Sequence, residues 1–268
     1  TGLADLDKLL GGLQKSDLLI IAGRPATGKT GFLLTVAKNA AQKHHKHVAF
    51  FSLEMSNEQL VQRLVSQETR INAQKLRMGD LKENEWPIFT HAIEVLGDTK
   101  IFLDDTPALT PMQMRTKCRR LHLEYHLDLV IVDYLQLMSG DTRNDNRVQE
   151  VSYISRNLKT LARELNVPVL AAAQLSRAVE QRTDKKPMLS DLRESGSLEQ
   201  DADIVMFIHR PDVTDKDISK ANSAEIIVAK HRNGPTHSGI QMVFLSELAR
   251  FENAARIEKE PGKRMAHP

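Results

Sequence analysis

The sequence has 268 residues, 41% hydrophobic and 27% charged, which is a globular balance with length enough for one large α/β domain or two small ones. A formal net charge of +2 does not announce a strongly basic partner surface, and 4% aromatics argue against base stacking as a main binding mode, so any nucleic-acid contact is expected to be with the phosphate backbone. No apolar run approaches the ~20 residues that span a bilayer, no signal-peptide pattern appears at Thr1, and the lone Cys118 cannot form an internal disulfide, so a reducing cytoplasm is the expected compartment.

Short apolar runs alternate with longer helical patterns, which predicts a mostly parallel, doubly wound sheet with helices on both faces. The first run, Leu18–Ala22, leads into Gly23-Arg24-Pro25-Ala26-Thr27-Gly28-Lys29-Thr30. This is G-x-x-x-x-G-K-S/T between a strand and a helix predicted from Lys29 to about Lys43. Glycines let backbone N–H groups close around phosphate oxygens, and the helix N-terminus adds partial positive charge. Lys29 would reach the β/γ-phosphates, and the Thr30 hydroxyl would bind Mg²⁺. The motif therefore predicts ATP with Mg²⁺, cradled by residues 23–30.

The next run, Val48–Ser52, ends two residues before Glu54. Glu54 is either a surface glutamate near a helix cap or the base that orients a water, since it leaves a strand on the same sheet edge as the phosphate loop. Ser56-Asn57-Glu58-Gln59 then forms a capping box that starts a second helix. A short run, Ile101–Leu103, precedes a third helix that starts at Thr110 with Pro111 in its first position. Cys118 within it reads as a small buried hydrophobe.

Leu129–Val132 is a continuous apolar stretch ending in Asp133, as in a buried strand that delivers one carboxylate to a ligand site. Asp133 is the expected second Mg²⁺ partner. Tyr134 follows it where many NTPases carry a glutamate, which is why Glu54 is the candidate base. Gly140–Asn146 is polar and expected to be mobile. A long amphipathic helix follows over Asn146–Leu165. Gln174 ends the run Val169–Ala173, where an amide could sense a terminal phosphate and pass that state to the charged segment Arg177–Pro187, also expected to be mobile. Ile204–His209, Ala224–Ala229 and Gln241–Leu245 complete the strands, and the last two lie close enough for an antiparallel edge pair. Residues 1–255 read as one domain, with a charged tail over 256–268 expected to be disordered. His44, His45 and His47 surround Lys46 and have no zinc-like spacing with cysteine, so they read as a solvated helix end. Met112 and Met114 read as packing residues.

Several segments together resemble the C-terminal ATPase domain of DnaB-type bacterial replicative helicases. They are Thr1-Gly2-Leu3 through Gly11-Gly12-Leu13, Gly23-Arg24-Pro25, Ser52–Ser56 and Asp133–Met138, then Gln174–Arg177, Ser190–Asp203 and Lys230–Pro235. The resemblance runs from Thr1 to about Phe251, and its Asp-Leu-Arg-Glu-Ser-Gly-Ser and Arg-Asn-Gly-Pro segments are far more specific than the phosphate loop.

The resemblance implies a RecA-like fold, a homo-hexameric ring with ATP sites between subunits, and 5′-to-3′ movement on single-stranded DNA that separates duplex at a fork. It implies that Lys230 and Arg232 reach into a neighbour's site. Two cations two apart on a strand do share a face, although a solvated strand end before an Asn-Gly turn has the same pattern. The family's lysine–glutamine–arginine is Lys230-His231-Arg232 here, and His231 falls on the other face. Arg193, Glu194 and Gly196 match the loop that holds DNA, and Arg63 matches an arginine near the nucleotide. Primase and a helicase loader are the implied partners. The family's N-terminal helical collar and linker helix have no counterpart in this sequence, so contacts made through them are not expected of it. Two rivals share parts of this pattern. One is a RecA-like recombinase, which lacks the Arg193–Asp203 and Lys230–Pro235 segments. The other is a nucleotide-dependent switch or loader with little turnover, against which Glu54 and Arg232 argue.

Overall fold

The computed structural model describes residues 1–140, 146–182, 184–214 and 221–254, with the side chains of residues 193–196 and 214 left out. The expected tail over 256–268, and most of the segment Gly140–Asn146, lie outside the described residues. In chain order the elements begin with α1 (Ala4–Leu10), β1 (Leu18–Gly23), α2 (Lys29–His44), β2 (Val48–Ser52), α3 (Asn57–Thr69), α4 (Ala73–Met78) and α5 (Trp86–Gly97). They continue with β3 (Ile101–Asp104), α6 (Pro111–Tyr125), β4 (Leu129–Asp133), α7 (Arg147–Leu165), β5 (Val169–Gln174) and α8 (Gly196–Asp201). The last are β6 (Ile204–His209), α9 (Pro211–Thr214), β7 (Ser223–His231), β8 (His237–Leu245) and β9 (Arg250–Asn253).

The strands form one sheet in the order β3-β2-β4-β5-β1-β6-β7-β8-β9. β1 pairs in parallel with β5 and β6, and β2 with β3 and β4. β6–β7, β7–β8 and β8–β9 are antiparallel. The antiparallel edge is therefore wider than the expected pair, because β9 adds a strand and β7 also runs against β6.

The central strands are buried on both faces, which explains their unbroken apolar runs. Alternation still decides which core each residue enters. Leu18, Ile20 and Ala22 pack with Met114 and Cys118 of α6, Val151, Ile154 and Leu158 of α7, and Leu198 of α8. Leu19 and Ile21 pack on the other face with Leu6 of α1, Phe32 and Leu33 of α2, and Leu60 of α3. Each large apolar side chain buried this way contributes roughly 1.5–3 kcal/mol.

Helix starts follow their capping chemistry. Ser56 and Gln59 form a reciprocal capping box on α3, and Thr110 and Gln113 do the same on α6. The Asn146 side chain accepts from Val148 N–H at the start of α7. α2 differs: its cap is Gly28 at φ +97°, with no side-chain hydrogen bond. Its first-turn N–H groups are thus not satisfied by a capping side chain.

Candidate functional site

Parallel strands deliver their C-terminal ends to one edge of the sheet, and the phosphate loop lies there between β1 and α2. Two glycines make the loop's close packing possible. A Cβ on Gly28 would lie 2.9 Å from the Phe244 ring, and one on Gly31 only 2.5 Å from the Ala249 carbonyl oxygen. Within the loop the Thr27 hydroxyl donates to the Arg24 carbonyl at 2.8 Å. Lys29 Nζ donates to the carbonyls of Gly23 and Arg24 at 3.0 and 3.1 Å. Burial pulls the Lys29 ammonium below its ordinary pKa, with Asp133 and Glu54 pulling the other way.

Register places the two candidate carboxylates together. Ser52 pairs with Asp133 across β2 and β4, and Leu53 N–H donates to the Asp133 carbonyl at 2.7 Å. Glu54 therefore leaves β2 beside the end of β4. The Asp133 side chain is 1% exposed, and no group meets either of its oxygens in hydrogen-bonding geometry. Burial raises its pKa, and the negative charge of Glu54 adds to the rise. The nearby Thr30 hydroxyl, Lys29 and Arg63 favour the ionised form without cancelling the effect. A buried, orphaned carboxylate beside a hydroxyl suits a hard divalent cation with oxygen ligands.

Asp133 lies buried beside a cleft of ≈ 620 Å³ whose walls include Pro25, Ala26, Gly28, Lys29, Thr30, Glu54, Arg63 and Gln174. The half-buried Arg63 thus belongs to the cleft rather than to a solvated helix face. Its guanidinium is lowered by burial and favoured by Asp133 and Glu54. The Arg24 side chain turns away: it is buried, donates to the Leu175 carbonyl at 2.7 Å and pairs with Glu180 at 2.7 Å. Arg24 and Thr27 can therefore offer a ligand only their backbone.

Sequence reasoning missed the opposite wall, made by Arg210 and Phe244. Arg210 lies 4.4 Å over the Phe244 ring and also pairs with Asp212 at 2.5 Å. The available signal was position, since Arg210 follows the end of β6 on the same sheet edge as Asp133.

Gln174 ends β5 with its side chain exposed at the cleft. The charged segment after it is not an untethered loop: it forms a short 3₁₀ helix, Arg177–Gln181, with Val179 buried. Arg182 then pairs with the buried Asp191 at 2.8 Å. Arg193 and Glu194 sit in the 3₁₀ segment Leu189–Ser195, and Gly196 opens α8. The side chains of Arg193 and Glu194 lie outside what is described.

Lys230 and Arg232 are not in this cleft. Lys230 pairs with Val205 and His231 with Ile204, at the start of β6 and the opposite edge of the sheet. Lys230 Nζ donates to the carbonyls of Glu199 and Ala202 at 2.5 and 2.7 Å. Arg232 donates to the Gln200 carbonyl at 3.2 Å and pairs with Asp203 at 2.9 Å. His231 faces the turn instead, with Nδ1 3.2 Å from the Pro235 carbonyl and its ring over Gly234. Lys230 and Arg232 share a face, as their spacing requires. Burial, then repulsion from Arg232, lowers the Lys230 pKa.

A family model described as the DnaB-like helicase C-terminal domain matches residues 1–253. The replicative DNA helicase DnaB of Geobacillus stearothermophilus is 52% identical over 96% of this chain and 56% of its own length. The replicative DNA helicase DnaC of Bacillus subtilis (strain 168) is 52% identical over 98% of this chain and 58% of its own. The chain thus spans little more than half the length of these curated relatives. A solved ATPase domain superposes with a TM-score of 0.90 at 40% identity, covering 95% of this chain and 90% of that one. A solved DnaB-like replicative helicase, described with its interactions with primase, gives the same score and identity over 95% and 61%. The RecA-like fold of this family is the fold found here.

Proposed function

The chain belongs to the family of DnaB-like helicase C-terminal domains, and from that premise we propose that it is the ATP-hydrolysing motor of a replicative DNA helicase. The observation that carries this reading is the meeting of Lys29, Thr30 and Glu54 in one cleft, with the orphaned Asp133 buried beside them.

The residues present fit a magnesium ion held by Thr30 and Asp133. When bound, it would neutralise charge on the β- and γ-phosphate oxygens. The backbone of residues 23–30 and the α2 N-terminus cradle the phosphates, and Lys29 places a positive charge beside them. Glu54 orients a water on the γ-phosphorus and takes its proton as the new P–O bond forms. The bond to the β-phosphate oxygen breaks, and ADP leaves with that electron pair. Gln174 contacts the γ-phosphate, and Arg63 offers a second cation to the nucleotide.

The far-edge position of Lys230 and Arg232 supports a role in a neighbouring subunit's cleft. Cis service would require them to cross the sheet. There Arg232 would stabilise transition-state charge as an arginine finger, with Lys230 beside it. This implies a homo-hexameric ring with composite sites, drawing single-stranded DNA through Arg193, Glu194 and Gly196 in the 5′-to-3′ direction that the family resemblance suggests. Arg193 would neutralise a phosphate, while the Gly196 N–H offers a close backbone donor. Primase is a proposed partner because a close structural relative is described with it. A helicase loader and a cytoplasmic setting follow from the same replicative role.

The test is strand separation on forked DNA with ATP and Mg²⁺, using tails of each polarity and Lys29→Ala as control. Separation that requires a 5′ tail and vanishes in the control is expected. ATP hydrolysis stimulated by DNA, with strand pairing and no unwinding, would favour the recombinase-like reading instead.

A further inference from the structure

β4 and β5 are paired only as far as Val132 and Ala171. β5 continues to Gln174 beside β1, where Gly23 is its partner. The last residue of β5 therefore has a neighbouring strand on one side only. Gln136, in the 3₁₀ turn Leu135–Leu137 just beyond β4, fills the other side. Its Oε1 accepts from Gln174 N–H at 3.1 Å, and its Nε2 donates to the Gln174 carbonyl at 3.0 Å. A side-chain amide carries one acceptor and a donor in nearly the geometry of a peptide group, so it can stand in for the missing strand residue. The next residue is tied to the phosphate loop: Leu175 N–H donates to the Gly23 carbonyl at 3.3 Å, and Arg24 donates to the Leu175 carbonyl at 2.7 Å.

We propose that Gln136 is a positioning residue whose side-chain amide fixes the backbone of Gln174, so that the Gln174 amide meets the terminal phosphate of a bound nucleoside triphosphate. The proposal rests on Gln174 being the γ-phosphate contact. Asp133 lies three residues before Gln136 on the same strand end. The clamp thus makes the metal-side carboxylate and the phosphate-reading amide one unit, and displacing one from the other breaks two hydrogen bonds. Nothing in Gln136 itself reaches the reacting atoms.

The test compares affinities for ADP and for ATPγS, both with Mg²⁺, in the full chain and its variants. Gln174→Ala is expected to abolish most of the preference for ATPγS. Gln136→Ala is expected to lower that preference about tenfold, the scale of losing two backbone hydrogen bonds that water partly replaces. ADP affinity should stay near that of the parent. Gln136→Glu keeps the size and the acceptor but loses the donor, so an intermediate loss is expected, and it serves if the alanine variant folds poorly. The double variant Gln136→Ala/Gln174→Ala should match Gln174→Ala alone, because both act through one contact. Additive losses, or an unchanged preference in both Gln136 variants, would overturn the clamp while leaving the sensor in place. No effect of Gln174→Ala would remove the sensor and the clamp together.

Discussion

Two aspartates are almost equally buried at opposite edges of the same sheet, Asp133 at 1% exposure and Asp203 at 3%. Asp203 is saturated: it accepts from Leu18 N–H at 2.8 Å, from Lys159, and from Arg232 at 2.9 Å. Neither Asp133 oxygen has a partner in hydrogen-bonding geometry, although the Thr30 hydroxyl, Lys29 and Arg63 lie nearby. Identical side chains at similar depth thus serve different ends. The satisfied carboxylate ties α7, β1 and the end of β7 together. The unsatisfied one carries an uncompensated burial cost, which supports the metal-holding role proposed for it.

The largest effect that would sharpen this contrast is functional. Arg232, which Asp203 holds, is proposed to act on a neighbour, so Arg232→Ala should cut ATP turnover on the order of 10³-fold or more. Mixing Arg232→Ala chains with Lys29→Ala chains should restore part of the activity, because some interfaces then join an intact loop to an intact finger. Mixtures as inactive as either variant alone would mean that the far edge serves no neighbour. Next comes Asp203→Ala, which strands Lys159 and the Leu18 N–H. It should lower unfolding stability by about 3 kcal/mol in urea titrations. A loss below about 1 kcal/mol would show that the saturated site is not structural.

Asp133→Asn should do the reverse in nucleotide-free protein. Relieving a buried, unpaired charge should raise stability on the order of 1 kcal/mol while abolishing turnover. A fall in Tm would break the comparison.

The smallest effect lies between the two cases, where the buried Lys38 meets the half-buried Glu68 at 2.7 Å. Burial alone would raise Glu68, but the Lys38 ammonium and the Gln42 amide hold it below the usual glutamate range. Lys38 is itself lowered, burial outweighing its partner, so desolvation offsets much of what the pairing contributes. A depressed folded pKa means stability present above the unfolded glutamate value near ~4.3 and lost as pH falls through the folded one. Glu68→Gln should flatten that acid slope in Tm measured against pH; an unchanged slope would assign it to other carboxylates.

Much of this was legible before any coordinates. The phosphate loop, the strand-terminal Asp133, the capping box at Ser56, the helix start at Thr110 and the strands β1–β8 each carry a local signal that a single segment can show. β9 was not legible, because Arg250–Asn253 holds one core residue, Phe251, whose role depends on packing against Phe32 and Phe244. α5 escaped because its exposed apolar residues Trp86, Ile88 and Ile93 blur the inward side made by Phe89, Ala92, Val95 and Leu96. α1 was readable in principle from Leu3, Leu6 and Leu10, closed by Gly11 in the left-handed region. Gln136 gave no signal, since its partner is a backbone 38 residues away.

The hydrogen bond from Ala4 N–H to the Asn253 side chain, at 2.7 Å, brings the two ends of the folded unit side by side. A unit with adjoining ends is a cassette: its first and last segments can be bridged by a short peptide without unpairing a strand. The order in which its pieces are synthesised is then separable from the shape they build, and a circular permutant opened at an exposed turn such as Asn233-Gly234 should assemble the same sheet.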